Sequence, residues 1–147
     1  MRFPWRNKAD LLPGINLPFT QLKSIATPAP EYLIETVSQY SEQITLLCLG
    51  PLTNIALAIE KGGEDFVKGV KQIVMMGGAV RVSGNGTPNQ VSEWNLYVDP
   101  LAASQTFKSG IPITMIGLDV TNLAPCTPEL NEKLGNLSSQ NEVGKIM

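Results

Sequence analysis

The run Ser92–Pro100 (SEWNLYVDP) holds residue types suited to binding a sugar. Glu93 and Asn95 stand two positions apart, and in an extended backbone side chains at i and i+2 point to the same side. A carboxylate accepts hydrogen bonds from hydroxyl groups and an amide both donates and accepts them, so the pair suits a vicinal diol. The same spacing also allows a solvated glutamate on a loop followed by asparagine in a turn.

Asp119 is a further carboxylate near the end of a candidate strand. Aspartate at such a position commonly accepts hydrogen bonds from backbone amides. We therefore expect Asp119 to hold a turn or a cap, with a catalytic role as the alternative.

Strand-like and helix-like segments alternate along the chain. Apolar runs predict strands at 44–49, 72–76 and 113–120, and amphipathic or capped segments predict helices at 30–40, 52–61, 65–70, 99–110 and 128–137. This alternation predicts an α/β fold with an open, mostly parallel sheet and helices on both faces. The first apolar run (ITLLCL) indicates a strand buried on both faces.

Glycines follow two of these strands, at Gly50-Pro51 and Gly77-Gly78. Ligands of open α/β sheets bind outside the carboxyl ends of the strands, where glycine lets the backbone approach a ligand. Ordinary strand-to-helix turns are the alternative interpretation of both glycine pairs.

Composition narrows the class of protein. Of 147 residues, 43% are hydrophobic and 16% charged, which is typical of a chain folding around a core. The net charge of -2 argues against nucleic-acid binding, and no apolar run approaches the roughly 20 residues of a membrane helix. Histidine is absent, and we interpret Cys48 and Cys126 as reduced packing residues. A soluble cytoplasmic protein is the expectation.

Five motifs, in their order and spacing, resemble the inosine/uridine-preferring nucleoside hydrolase family. They are GPLTNIA at 50–56, MGGA at 76–79, GN at 84–85 followed by EWN at 93–95, DPLAA at 99–103, and LDVT at 118–121. The resemblance runs from about residue 28 to the C-terminus. It divides the chain into an irregular segment at 1–28 and a partial nucleoside hydrolase domain at 29–147, with a Rossmann-like core.

The resemblance implies hydrolysis of the N-glycosidic bond of ribonucleosides to ribose and free base, with one calcium ion and a water bound to it. It places the Thr53 backbone carbonyl on the calcium, and Met76, Asn85, Glu93 and Asn95 around the ribose. We expect Glu93 and Asn95 to share a pocket with Met76 and the Thr53 carbonyl. Contacts to the ribose hydroxyls that strengthen as the sugar becomes oxocarbenium-like would lower the barrier.

The chain also departs from the family pattern. The aspartate-rich D-x-D-x-x-x-D-D strand and the C-terminal His-Asp pair have no counterpart, and Asp10 is the only carboxylate before residue 28. Compared with many members of the family, this chain has two extra residues between Asn85 and Glu93. No catalytic residue is assigned in this chain, and we expect the isolated chain to be impaired. The alternative is a non-catalytic fragment or partner module, which forms a homo-oligomer or needs a separate N-terminal piece to complete the sheet and the calcium site.

Overall fold

The computed structural model of the protein describes residues 23–86 and 90–138. Contacts between backbone positions divide the chain into two compact units. The larger unit is Ile25–Pro125, and the smaller one combines Met1–Ser24 with Cys126–Met147.

The larger unit is an α/β layer built on three parallel strands. Its elements are α1 (Ala29–Gln39), β1 (Ile44–Cys48), α2 (Thr53–Gly69), β2 (Val70–Met76), α3 (Trp94–Val98), α4 (Pro100–Lys108), β3 (Ile113–Ile116) and α5 (Leu118–Thr121). The strand order is β1-β2-β3, and both pairings are parallel. The predicted open parallel sheet with helices is confirmed. In the smaller unit, α6 spans Pro128–Ser138, where a helix is predicted at 128–137.

The two helices predicted at 52–61 and 65–70 are confirmed as the two halves of α2, which meet at a kink at Gly63, whose φ of 58° and ψ of -147° are not helical. Glycine has no side chain to clash in this left-handed region of φ, so the helix continues after the kink. The end of the third strand differs from the prediction. The strand stops at Ile116 because Gly117 serves as the N-cap of α5.

Residues 1–22, most of the predicted irregular segment, lie outside the described residues, and 23–28 form neither helix nor strand. No helix in the described part of the chain has the length and apolar character needed to cross a membrane.

The hydrophobic core lies on one face of the sheet. Leu46 of β1 is 7% exposed, and Ile73 and Met75 of β2 are fully buried. They join one cluster with buried residues of the helices: Val37 of α1, Ile55, Ala56, Ala58 and Phe66 of α2, and Ala102 and Ala103 of α4. The alternation of strand side chains therefore directs every second residue into this cluster.

The opposite face of the sheet, here called the open face, carries Leu47, Leu49, Val74, Met76 and Ile116. Leu47 is 66% exposed and Leu49 70% exposed. The expectation that the first strand is buried on both faces is thus wrong. Among the described residues, α1, α2 and α4 pack against the face that bears Leu46 and Ile73, so Leu47 and Leu49 remain exposed on the other face.

The two cysteines differ in their surroundings. Cys48 is a free thiol in the core, and burial raises the pKa of this thiol above its usual value. It is a reduced packing residue as predicted. Cys126 is also free but exposed, so the packing role expected for it is wrong. It lies in the short connection before α6, where no layer of the fold covers it.

Candidate functional site

Glu93 is a buried carboxylate at the N-terminus of α3, with 2% of its surface exposed. Its Oε1 accepts a hydrogen bond from the Asn95 amide at 2.9 Å. Its Oε2 accepts from the Gly78 amide at 3.1 Å and from the Leu96 amide at 3.2 Å. A carboxylate held by three amides is strongly stabilised in its buried position. Glu93 therefore joins the first turn of α3 to the carboxyl end of β2.

The extended-backbone argument for Glu93 and Asn95 is wrong. Glu93 has an extended conformation, with φ -77° and ψ 147°, but it is the N-cap of α3, and Asn95 lies inside that helix. A side-chain oxygen at an N-cap satisfies amides that have no partner within the helix. This requirement, and not strand alternation, sets the relative placement of the two side chains.

Asn95 does meet Met76, as the predicted ribose pocket requires. Its Nδ2 donates to the Met76 carbonyl oxygen at 3.1 Å and lies 3.4 Å from the Met76 Sδ. Asn95 is half-buried, and no described residue is seen to donate a hydrogen bond to its Oδ1. An amide oxygen held by such a fixed side chain can accept a hydrogen bond from a ligand hydroxyl.

Asn85 also reaches α3. Its Oδ1 accepts from the Trp94 amide at 2.8 Å, and the Gly86 amide donates to the Ser92 carbonyl at 2.8 Å. The chain passes so closely here that a Cβ on Gly84 would lie 2.2 Å from the Ser92 carbonyl oxygen. Asn85, Glu93 and Asn95 thus converge on the first turn of α3, two of them through hydrogen bonds to its backbone.

Asp119 holds the loop that follows β2. Its two carboxylate oxygens accept from the Val80 amide at 2.9 Å and the Arg81 amide at 2.8 Å. These hydrogen bonds, that of Val80 first, lower the pKa of the Asp119 carboxyl. The loop-holding role expected for Asp119 agrees with this geometry, although the residue lies in α5 and not in a third strand.

Thr53 is the first residue of α2. Its hydroxyl donates to Asp99 Oδ2 at 2.6 Å. Asp99 Oδ1 accepts from the Ala102 amide at 3.0 Å and so caps α4, as the Asp-Pro pair predicts. The Thr53 hydrogen bond, followed by that of Ala102, lowers the pKa of the Asp99 carboxyl. The link between Asp99 and Thr53 was not foreseen, because 46 positions separate the two residues and no local pattern signals it.

The single pocket expected for Glu93, Asn95, Met76 and the Thr53 carbonyl stays a prediction. Glu93 lines a cavity of about 350 Å³ together with Gly78 and Phe107. Thr53 lines a separate groove of about 190 Å³ that includes Asp99. The structure brings Asn95 to Met76 directly, and it connects Thr53 to Asp99, the residue that follows α3.

The described residues do not by themselves fit a calcium ion. Calcium takes about six to eight oxygen ligands, with carboxylates prominent among them. Within 23–86 and 90–138, no three acidic, histidine or cysteine side chains come together as a metal site. Both Asp99 oxygens are already engaged by Thr53 and Ala102.

An open parallel sheet with polar side chains gathered beyond the carboxyl end of its central strand defines a ligand-binding α/β domain. The sequence matches the family model described as inosine-uridine preferring nucleoside hydrolase over residues 7–147, and the chain belongs to this family. The match begins upstream of residue 29, where the sequence analysis starts the partial domain, and that boundary stays a prediction.

Relatives and solved structures agree with this membership. The chain is 46% identical over 123 residues to a pyrimidine-specific ribonucleoside hydrolase, RihA, of Shewanella sp. (strain MR-4), covering 84% of this chain and 37% of the relative. The plant nucleoside hydrolase PpNRh1 superposes with a TM-score of 0.80 at 39% identity, covering 94% of this chain and 42% of that one. A purine-preferring ribonucleoside hydrolase from Gardnerella vaginalis superposes with a TM-score of 0.78 at 32% identity, covering 90% and 40%. The chain therefore spans about two fifths of the length of these proteins.

Proposed function

We propose that this chain supplies the ribose-binding part of an enzyme that hydrolyses the N-glycosidic bond of ribonucleosides to ribose and free base. The observation that carries the proposal is the placement of Asn95 at the carboxyl end of β2, where its Nδ2 donates to Met76 and no described residue is seen to donate to its Oδ1. Family membership supports the same reading, since the relatives' names describe ribonucleoside hydrolases.

Each proposed ribose residue has a distinct task. Asn95 Oδ1 accepts from a ribose hydroxyl, while the half-buried Met76 packs against the sugar. Glu93 uses three of its roughly four lone-pair sites on backbone amides, so its direct contact with substrate is at most one further hydrogen bond. Its negative charge lies beside the sugar and favours the positive charge that develops on the ribose as the bond to the base breaks. Asn85 holds the Trp94 amide and thereby the position of α3.

The proposed cofactor is one calcium ion, with the Thr53 backbone carbonyl as this chain's ligand. When bound, such an ion makes its water easier to deprotonate. We assign no catalytic residue to this chain, because the described residues hold no group of three or more acidic, histidine or cysteine side chains that could complete a metal site.

The first test is binding and turnover of uridine and inosine by the purified chain. Ribose release is followed with calcium and with a chelator, and binding is followed by NMR titration. We expect binding that Asn95→Ala abolishes and Asn131→Ala, a change at an exposed asparagine of α6, leaves intact. Equal binding by wild type and Asn95→Ala would contradict the proposed ribose site. Ribose release by the chain alone would show that this chain is sufficient for hydrolysis.

A second candidate function is that of a partner module without its own activity. The open face favours it, because Leu47 and Leu49 are mostly exposed and a parallel sheet is normally covered on both faces. The proposed occupant is the part of a family domain that precedes the matched region in the relatives.

Light scattering tests this second function directly. We expect the isolated chain to associate with itself, and to form a 1:1 complex with the preceding segment of the Shewanella relative that gains calcium-dependent ribose release. If the chain is a monodisperse monomer and does not bind the segment, the function as a partner module is contradicted.

A further inference from the structure

Asp99 occupies the junction of three helices. It follows the last residue of α3, is the N-cap of α4, and accepts a hydrogen bond from the first residue of α2. Its Oδ1 serves the α4 amide of Ala102, and its Oδ2 serves the Thr53 hydroxyl. One carboxylate thus holds two helix N-termini together, and α3 ends at the same point.

The helix α3 is consequently fastened at both ends. At its N-terminus, Glu93 binds the Gly78 amide and Asn95 binds the Met76 carbonyl, which fixes the helix to β2. At its C-terminus, the Asp99 to Thr53 hydrogen bond fixes it to α2. Between Asn95 and Asp99 lies about one turn of helix, or roughly 5.4 Å of rise. Because this stretch is short and helical, a shift of Asp99 also moves Asn95.

Apolar packing between α2 and α4 does not by itself set the position of one helix along the other. Ala56 of α2 and Ala102 and Ala103 of α4 are buried in the common core, and their small side chains let the two helices approach closely. Apolar contact of this kind is non-directional, so it does not by itself set the sliding position of one helix along the other. The Asp99 to Thr53 hydrogen bond is directional and does.

We propose that Asp99 is a positioning residue, whose hydrogen bond to the Thr53 hydroxyl sets where α3 carries Asn95 relative to the N-terminus of α2. The importance of this placement for a ligand rests on the proposed function, since Asn95 and the Thr53 carbonyl are the groups assigned there to ribose and calcium. The placement itself is a property of the free protein and can be tested without a ligand.

The test compares two threonine substitutions in the full chain by NMR of the Asn95 side-chain amide. Thr53→Val removes the hydroxyl donor and keeps the size and the backbone carbonyl, whereas Thr53→Ser restores the donor. We expect Thr53→Val to shift the Asn95 side-chain resonances and Thr53→Ser to return them to their wild-type positions. Where uridine binding is measurable, Thr53→Val should weaken it roughly threefold to tenfold, in line with one lost hydrogen bond.

A matched control removes an equivalent hydrogen bond elsewhere. Thr36 lies in α1, and its hydroxyl donates to the Tyr32 carbonyl at 2.7 Å. Thr36→Val should leave the Asn95 resonances in place. If Thr53→Val moves Asn95 no more than Thr36→Val does, or if Thr53→Ser fails to restore it, the positioning role is overturned.

A second variant guards against a general loss of structure. Asp99→Ser keeps an oxygen to cap α4 but is too short to reach Thr53, so it should shift Asn95 as Thr53→Val does. The double variant should shift it no further, because both changes remove one interaction. Additive shifts would overturn the proposal. If Thr53→Val shifts the Asn95 resonances but the protein binds no ribonucleoside, the proposed function alone is contradicted. If the protein binds uridine but Thr53→Val does not shift the Asn95 resonances, the positioning role alone is contradicted.

Discussion

Glu93→Gln is the substitution that most directly tests how the site is held. Glutamine keeps one carbonyl oxygen and replaces the other carboxylate oxygen with an NH2 group. The lower-cost orientation keeps the oxygen at the amides of Gly78 and Leu96 and sets NH2 against the amide of Asn95. The reverse orientation would leave two amides without an acceptor.

The expected loss follows from these three hydrogen bonds. A buried amide left without an acceptor costs about 1–3 kcal/mol, and each remaining bond weakens by about 1 kcal/mol when its acceptor loses the negative charge. The free energy of unfolding should therefore fall by about 3–5 kcal/mol, a large share of the roughly 5–15 kcal/mol typical of a domain. Near 2% exposure, water cannot replace the missing acceptor at Glu93.

The assay is urea denaturation followed by far-UV circular dichroism. With a slope of about 1.5 kcal/mol per molar urea, the midpoint should fall by about 2–3 M. Glu64→Gln is the matched control, because Glu64 is 84% exposed and pairs only with Lys68 one helical turn away. It should change stability by at most about 0.5 kcal/mol. If the two variants have equal midpoints, Glu93 does not hold α3 to β2 and the reasoning about the site fails.

Three further outcomes follow from the same geometry. Gly78 has a φ of 87°, and a Cβ there would lie 2.8 Å from the Met115 Sδ. Gly78→Ala should therefore lower the free energy of unfolding, measured in urea, by about 1–3 kcal/mol. Gly50→Ala is the control and should be near neutral, because there is open space around a Cβ at Gly50. The pKa of the Asp119 carboxyl is lowered in the folded protein, so its contribution to stability is complete above the unfolded value of about 4 and is lost as pH falls through the folded pKa. The difference in free energy of unfolding between wild type and Asp119→Asn, measured in urea, should therefore stay constant from about pH 7 to 5 and narrow below about pH 4. Leu47→Lys should reduce self-association in light scattering without lowering stability, and an unchanged particle size would mean that the open face is not the associating surface.

Much of the local structure could be predicted from sequence because its causes are local. Apolar runs followed by glycine marked β1 and β2, and the Asp99-Pro100 pair marked the start of α4. The two helices predicted at 52–61 and 65–70 are confirmed as the two halves of α2, because Gly63 interrupts the helical conformation between them. What the second half packs against is not set by local sequence. Phe66, 2% exposed, anchors that second half in the core.

The contacts among the candidate site residues follow from helix capping and not from the extended backbone that the spacing suggested. Asn95 meets Met76, and Glu93 accepts from the backbone amides of both Asn95 and Gly78. The spacing of a carboxylate and an amide fits both a strand face and a helix cap. Only the position of α3 against the end of β2 decides between them, because three amides there need an acceptor.

The amino-acid sequence by itself determined the parallel α/β plan, the chain turns at glycine and the membership of a family, since each depends on residue types at short or recurring spacings. The tertiary structure alone decided that the core covers one face of the sheet, that Leu47 and Leu49 stay exposed, and that Asp99 reaches Thr53. The physical reason is that burial and directional hydrogen bonds between distant positions depend on how whole elements pack, and no local pattern records that.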